Sequence, residues 1–386
     1  MQMNKKVFLN NFSAHKIISM FFVFILTLSS IIPAFAVDEN KPVLPSEIGQ
    51  IISVETFGQQ KFSSTGELNQ TNQSVEIKVI SGAHKGQKVI VDNVLMGNPA
   101  YDISLKKGDK VILHAEQEDG GVNFFIADKQ RVNVLYVLAF IFFALLVAVG
   151  QKKGFHSLVS ILITLGLIFW VLTPLILKGI NPIFATVFVC IIASVAAIYL
   201  VGGFNAKSSA AILGTVLSLT VAGILSIITI KFAYLTGFSS EESLFLFSAH
   251  PNLNFVGVLA SSMIIGALGA LMDIGMSISS TVNELFESNP KMEVMELFNS
   301  GMNVGKDIIG TMANTLILAY LGGALSLVLL SNNIDMQKFF NLNQVATEIS
   351  SALIGSIAIV LCVPITAIIA AFMIRKYDKQ KVEIEK

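Results

Sequence analysis

The stretch ALMDIGMSISSTVNELFESNPKMEVMELFNSGMNVGKDIIGTMANTLILAY, from Ala270 to Tyr320, carries acidic, amide and hydroxyl side chains at the ends of two long apolar segments. Side chains spaced at i, i+4, i+7 and i+11 share one face of a continuous helix, and those of the first stripe are Asp273, Ser277, Ser280 and Glu284. The second stripe has the same kind of spacing and comprises Asn303, Asp307, Gly310, Thr311 and Asn314. The sequence therefore predicts two facing polar stripes, one on a span that leaves the bilayer and one on the span that re-enters it.

These stripes are the candidate site for ion coupling or for polar contacts within the membrane. An ionised side chain at bilayer depth costs roughly 2.5 to 3.5 kcal/mol on insertion scales, so such residues tend to be kept for function or paired. The candidate residues are Asp273, Ser277, Asn303, Asp307, Thr311 and Asn314. The alternative is that Asp273 and Asp307 lie at the membrane edge, where a charge costs much less, and serve only as anchors. We predict no catalytic residue, no metal site and no cofactor.

Two motifs in this stretch carry a family resemblance. They are MDIGMSISSTVNEL, from Met272 to Leu285, and SGMNVGKDIIGTMANTLILAYLGG, from Ser300 to Gly323. With them the chain resembles the YibE/F family of bacterial multi-pass membrane proteins, and the resemblance covers nearly everything after about Ser46. It implies an external domain followed by membrane spans, and it implies no particular activity.

The composition of the chain is that of an integral membrane protein. Hydrophobic residues make up 53% and charged residues 13%, whereas ordinary soluble domains carry about 25% charged residues. The formal net charge is zero, so the balance of charge gives no argument for nucleic acid. The only cysteines, Cys190 and Cys362, lie in apolar runs. They are expected to be small buried hydrophobes rather than members of a disulfide framework or a metal cluster.

The N-terminus has the pattern of a secretory signal peptide over residues 1–36. Basic residues precede the apolar run from Ile17 to Ile32, and Ala34-Phe35-Ala36 supplies an A-x-A cleavage site. The alternative is that the run is retained as a signal anchor. Either outcome exports the segment that follows.

Residues 37–131 are predicted to form an extracytoplasmic β domain. The expected strands are Ile51–Thr56, Val75–Ile80, Lys88–Val94, Lys110–Ala115 and Asn123–Ala127. Five short strands in this length suit a small antiparallel barrel of OB-like type. The domain has no row of aromatic residues and no concentrated basic face, which single-stranded nucleic acid would require. His84 and His114 are too isolated to indicate a metal site, so we interpret the domain as structural or protein-contacting.

Residues 132–374 are predicted to form a helical membrane domain with about seven spans. The apolar runs are Val132–Val149, Phe155–Leu177, Pro182–Val201, Ser208–Ile230, Phe255–Met272, Ile308–Leu330 and Ser351–Ile374. Lysine and arginine are concentrated in the alternate loops and in the tail, residues 375–386, which predicts a cytoplasmic C-terminus in the bacterial plasma membrane. Residues 281–305 are amphipathic and are expected to form two short cytoplasmic helices separated at Asn289-Pro290. The outer loop from Lys231 to Asn254 is expected to contain a helix beginning near Ser240.

The motifs of several enzyme classes are absent from the sequence. The residues around Asp273 and Asp307 do not match those of intramembrane aspartyl proteases, and the chain has no H-E-x-x-H sequence and no phosphate loop. A polar span, an amphipathic segment and a Ser/Asn/Thr-bearing span are similar to the later half of the membrane domain in SecD/SecF-type permeases, although the number of preceding spans differs. This similarity favours transport over enzymatic activity.

We therefore predict a permease or a component of a transport or export system, coupled to protons or cations. The alternative is a membrane scaffold or assembly factor that transports nothing. The expected partners are the lipid bilayer and either a second copy of the chain or another membrane protein, without nucleic acid. The sequence does not specify a substrate.

Overall fold

The computed structural model describes residues 46–62, 68–98, 100–118 and 121–384. The predicted signal peptide, residues 1–36, lies outside the described residues. The chain divides into two compact units, one ending at Ala144 and the other beginning at Leu145. Each unit is described by itself below.

The first unit contains a five-stranded antiparallel sheet with the strand order β3-β2-β1-β4-β5. Its strands are β1 (Glu47–Phe62), β2 (Leu68–Ser81), β3 (Lys88–Leu95), β4 (Lys110–Glu118) and β5 (Gly121–Lys129). The two edge strands, β3 and β5, approach each other, so the sheet curls into a nearly closed barrel. All five predicted strands are present, and the observed strands extend beyond the predicted ones.

Alternating apolar residues form the strands and fill the barrel. Val75, Ile77 and Val79 of β2 point inward and are fully buried, because successive side chains in a strand point to opposite faces. The same core cluster contains Ile51, Val75, Ile77, Val79, Val91, Leu105, Val111 and Leu113. Near the β4–β5 end, Lys129 Nζ lies 2.8 Å from Asp109 Oδ2, and this hydrogen bond lowers the pKa of the Asp109 carboxyl group.

One acidic residue, Glu47, is buried in this unit at 1% exposure and is paired with His84. His84 Nδ1 lies 2.6 Å from Glu47 Oε1, and the His84 backbone N–H donates to Glu47 Oε2 at 3.3 Å. Gly82 makes room for the carboxylate: its φ is 103°, and an added Cβ would lie 2.6 Å from Glu47 Cδ. His84 was too isolated in the sequence to suggest this pair, because the two residues are 37 positions apart.

Replacing His84 with Ala is expected to destabilise the barrel. It leaves a buried carboxylate without its side-chain partner, which costs about 1 to 3 kcal/mol. Hydrogen exchange of the β1 and β2 amides in the intact protein should therefore become about fivefold faster or more. His114→Ala, at an exposed position of β4, is the control and should leave exchange unchanged. Equal exchange rates in the two variants would contradict a stabilising role for the Glu47–His84 pair.

The remaining described chain is helical. Its α-helices are α1 (Val132–Gly166), α2 (Thr173–Leu177), α3 (Pro182–Gly202), α4 (Ala206–Phe232), α5 (Glu241–Ala249), α6 (Phe255–Ser288), α7 (Val294–Gly323), α8 (Leu325–Leu330), α9 (Met336–Phe340) and α10 (Asn343–Ile384). A π-helical turn, Leu167–Leu172, joins α1 to α2. Five of the helical segments are long and apolar enough to cross a bilayer, and a sixth arises if α7 and the bent segment after it, at 68°, form one span. This architecture is that of a helical membrane protein.

The longest apolar segment, Val132–Leu177, is interrupted near its middle. Gln151 has φ 50° and ψ −126°, which are not helical values. A Cβ added to Gly154 would overlap the carbonyl oxygen of Leu146, although eight residues of straight helix would separate these positions by about 12 Å. The chain therefore turns sharply at Gln151, which lies between the two apolar runs that the sequence predicts for this segment.

The second unit is centred on α4, α6 and α10, which pack against one another, with α3 on α4 and α6. Small and hydroxyl side chains lie at these contacts, which lets helix backbones approach closely in lipid. The buried hydroxyl residues of this unit are Thr186, Ser194, Ser208, Thr215, Ser218, Ser226, Ser261, Ser279, Thr347, Ser351, Ser356 and Thr366. Two of these hydroxyl groups donate across helices, Thr215 to the Leu271 carbonyl at 3.3 Å and Ser279 to the Lys207 carbonyl at 2.6 Å. The central helices are therefore held mainly by close backbone packing.

The connection between α6 and α7 differs from the prediction. Two separate amphipathic helices were expected over residues 281–305, but α6 continues without a break to Ser288 and α7 begins at Val294. The continuation is stabilised by packing, because Val282, Phe286 and Leu297 are buried in the core. Only the turn around Pro290 interrupts the two helices. The helix predicted in the outer loop is confirmed as α5, with Ser240 at its N-cap in a capping box with Ser243.

Candidate functional site

One side of α6 is buried and the other is exposed at the candidate residues. Leu271, Ile274 and Ile278 are fully buried, whereas Asp273 and Ser277 are exposed. Asp273 and Ser277 therefore share an exposed face of α6, and neither side chain is buried in the core of the chain. Asp273 lies 18 residues after Phe255, the first residue of α6, which is about 27 Å along the helix and close to the thickness of the hydrocarbon core. The part of α6 before Asp273 is therefore long enough to cross that core.

Contacts from two other helices fix α6 at this level. Thr215 Oγ1 of α4 donates to the Leu271 carbonyl at 3.3 Å, and Cys362 Sγ of α10 approaches the same oxygen at 3.7 Å. On the next turn, a Cβ added to Gly275 would lie 2.6 Å from Thr215 Oγ1 and 3.0 Å from the Ala211 carbonyl oxygen. Three helices therefore meet within one turn of Asp273 and define its position on the outer face of α6.

The exposed face of α6 is bordered by other residues near Gly266 and is open near Gly269. On one side of it, Ile265 packs against the cluster formed by Leu172 and Val189. On the other side, the Tyr320 hydroxyl group of α7 covers Gly266, so closely that an added Cβ there would overlap it. One turn closer to Asp273, an added Cβ at Gly269 would meet nothing within 4 Å. The side chain of Asp273 therefore lies beside free space on its own helix face.

The second stripe lies on α7 and faces away from α6. The side of α7 that packs inward contains Gly301 and Gly305, whose added Cβ atoms would lie 2.8 Å from Val282 Cγ2 and 3.2 Å from Ile278 Cδ1. Asp307 is rotated from Gly305 by about 200° around the helix, since each residue turns it by about 100°. Asn303, Asp307, Thr311 and Asn314 are all exposed. The structure thus groups the residues within each stripe but does not bring the two stripes face to face within one chain.

Asp273 and Asp307 nevertheless lie at nearly the same level. The contacts of Gly301 with Val282 and of Gly305 with Ile278 show that α6 and α7 are antiparallel. Extending this register places Asp273 beside about residue 310, roughly one helical turn from Asp307. In the described part of the chain, no hydrogen bond or ion pair joins the two carboxylates. The Thr311 hydroxyl group donates to the Ile308 carbonyl at 3.0 Å and so remains on its own helix.

The structure adds neighbours that the sequence did not indicate. Arg375 of α10 donates from Nη1 to the Met292 carbonyl at 3.1 Å, which ties the α6–α7 connection to the end of α10. Tyr320 lies within electrostatic range of Glu348 of α10. Glu348 was overlooked because the predicted span began at Ser351, whereas α10 begins at Asn343. The sequence feature that could have identified Glu348 is a single acidic residue at the edge of an apolar run.

A cavity of about 550 Å³ lies at the other end of α6, between residues 176–182 and 249–254. The N-termini of α3 and α6, capped by Asn181 and Asn254, border it together with Lys178 and His250. It is about 28 Å along α6 from Asp273, so it belongs to a different region of the unit. Among the described residues, no group of three or more His, Cys, Asp or Glu side chains is placed to hold a metal ion.

Comparison with known families gives two matches that together span most of the chain. The family model described as YibE/F-like protein matches residues 138–376, and the model described as YibE/F family N-terminal domain matches residues 44–129. No curated protein and no solved structure matches the chain.

Proposed function

Because this chain belongs to the YibE/F family, we propose that it is a multi-pass protein of the bacterial plasma membrane that acts as a permease or as part of a transport system. Transport is coupled to protons or cations through Asp273, with Ser277 on the same face of α6. Family membership supports the arrangement of a β domain before a helical membrane domain. The argument for transport comes from the site.

The observation that carries the proposal is the exposure of Asp273 on the open face of α6. The apolar length of α6 before this residue matches the thickness of a hydrocarbon core, so Asp273 lies where water on one side can reach it and apolar surroundings begin on the other. An acidic side chain at such a boundary exchanges protons with water while remaining next to the membrane interior. Proton relays in transporters use acidic side chains in this way.

The proposed topology has seven spans after a cleaved signal peptide. The turn at Gln151 divides Val132–Leu177 into two spans, and α7 and α8 together form one bent span. The strand order of the β domain is that expected of an OB-like barrel, with β1 between β2 and β4. With this domain outside, the positive residues of the cytoplasmic loops are Lys152, Lys153, Lys207, Lys291 and Lys306, and those of the outer loops are Lys178, Lys231 and Lys338.

Reporter fusions are expected to give opposite signals at two positions. A reporter fused after Lys376 should be active in the cytoplasm, because the basic tail is retained there. A reporter inserted at Gly108 should be active outside the membrane, and this exposed turn, where an added Cβ would meet nothing within 4 Å, has room for the insertion. Paired fluorescent and phosphatase reporters measure both locations. A cytoplasmic signal from the Gly108 insertion would overturn the topology.

The rival function is a membrane scaffold or assembly factor, and the outward polar face of α7 is the observation that favours it. Asn314 on this face lies on the membrane side of the level of Asp273, where a contact with another protein would satisfy its amide whether or not the chain transports anything. The two functions are distinguished by flux of the purified protein in proteoliposomes, measured across an imposed pH gradient with a panel of solutes. Gradient-dependent flux above that of protein-free vesicles supports transport. Correctly inserted protein that moves neither protons nor any tested solute would support the scaffold.

A further inference from the structure

We propose that the outer face of α7 is the surface on which a second copy of this chain packs. The contact follows a line of residues that we name the α7 seam: Asn303, Asp307, Gly310, Asn314, Ile317 and Leu321. This surface is independent of the transport proposal, because a scaffold would need it equally.

Every residue of the α7 seam is exposed in the single chain. The residues are separated by alternating steps of four and three, which is the spacing of a heptad seam between two nearly parallel helices. The opposite side of α7 is already occupied by contacts of Gly301 and Gly305 with α6 and α10. Gly310 lies in the middle of the seam, and an added Cβ there would meet nothing within 4 Å. The seam is therefore free and allows close approach of another helix.

Lipid is a poor cover for Asn314, because the register of α7 on α6 places this residue about 6 Å on the membrane side of the level of Asp273. Asn314 is exposed, and no hydrogen bond from its side chain to another described residue is present. Hydrocarbon offers no hydrogen-bonding group, so uncompensated polar side chains are costly there. A protein surface with matching donors and acceptors removes this cost.

A second copy matches the seam better than an unrelated helix. Both copies insert with the same orientation, so their α7 helices are parallel and equal residues lie at equal levels. In knobs-into-holes packing, Asp307 of one copy then enters a hole lined by the second copy's Asn303, Lys306, Asp307 and Gly310. Lys306 is exposed and, in the described part of the chain, has no ion-pair partner. Its ammonium group and the Asn303 amide compensate the two carboxylates, and facing Asn314 amides pair with each other.

Cysteine cross-linking in membrane vesicles tests the contact. Asn314→Cys lies on the seam, and Thr315→Cys is an exposed control rotated by about 100°. Mild oxidation should give about tenfold more disulfide-linked dimer at position 314 than at 315, because a disulfide requires Cα atoms within about 7 Å. The unaltered chain is the background, since Cys190 and Cys362 are buried. Gly310→Cys and Ile317→Cys are independent seam positions should Asn314→Cys insert poorly.

A charge exchange tests the pairing within the seam. Lys306→Glu in the Asn314→Cys background should reduce the dimer at least about threefold, because four carboxylate groups, two from each copy, then lie close together without a cation. Adding Asp307→Lys should restore the dimer. Cross-linking that is equal at positions 314 and 315, or a cross-linked product whose mass is not twice that of the chain, would overturn the proposal. Both results can be obtained whether or not the protein shows flux.

Discussion

Replacing Asp273 with Asn is expected to reduce gradient-driven flux at least about tenfold while leaving the amount of inserted protein unchanged. The amide keeps the size of the side chain but cannot bind and release a proton, and a positioned proton-transfer group contributes at least about 100-fold where such transfer limits a rate. The fold should tolerate the change because Asp273 is exposed and, among the described residues, takes part in no hydrogen bond or ion pair. Flux in proteoliposomes and the quantity of protein in the membrane are measured together.

Glu284→Gln is the matched control for this variant. Glu284 lies on the same face of α6, also exposed, and is eleven residues further along, or about 16 Å beyond the level of Asp273. It is therefore outside the boundary at which a carboxylate meets apolar surroundings, and its replacement should leave flux unchanged. Full flux from the Asp273→Asn variant would contradict a coupling role for Asp273. An equal loss in Glu284→Gln would show that the acidic character of the α6 end matters, rather than one coupling group.

The β domain was predictable because its signals are local. Alternation at Val75, Ile77 and Val79 requires a strand with one buried face, and glycine-containing turns mark the strand ends. The lengths of the strands were underestimated. β1 continues past Thr56 because its polar residues pair with those of β2, as Gln60 does with Gln70. Hydrogen bonds between strands thus extend a strand into sequence that has no strand signal of its own.

The relation between the polar stripes was not predictable from spacing alone. An i, i+4 pattern shows that residues share a helix face, but the direction of that face is set by tertiary packing. One signal did exist, because Gly301 and Gly305 lie about 200° around α7 from Asn303 and Asp307. Small residues mark the side on which membrane helices approach closely, so the stripe opposite them should point outward. In the structure the α7 stripe does point outward. The prediction of two facing stripes was wrong because it did not take the positions of these glycines into account.

The continuity of α6 shows a second limit. The sequence changes from apolar to amphipathic after Met272, and this change suggests a span followed by a separate surface helix. No helix-breaking residue occurs between Met272 and Ser288, and the amphipathic part is kept in line by burial of Val282 and Phe286. The change in polarity after Met272 therefore does not mark the end of the helix.

Replacing Gly275 with Ala is expected to destabilise the helical unit by about 1 to 3 kcal/mol, the usual cost of overpacking a well-packed contact. The new Cβ would lie 2.6 Å from Thr215 Oγ1 and 3.0 Å from the Ala211 carbonyl oxygen. The hydroxyl group could move only by giving up its hydrogen bond to the Leu271 carbonyl, and the Ala211 oxygen belongs to the backbone of α4. The hydroxyl group therefore yields at the cost of its hydrogen bond, and the carbonyl oxygen yields only if α4 moves away from α6.

Gly269→Ala on the same helix isolates this effect. An added Cβ at Gly269 would meet nothing within 4 Å, so the variant keeps only the higher helix propensity of alanine, worth up to about 1 kcal/mol. Thermal unfolding of the purified protein in detergent should therefore give a lower midpoint for Gly275→Ala and an equal or slightly higher one for Gly269→Ala. If the two midpoints agree, the contact of α4 with α6 does not determine stability. If they differ as expected, the contact that holds the helix one turn from Asp273 is also what keeps the helical unit folded, and flux measurements on Asp273 variants must be interpreted against that stability.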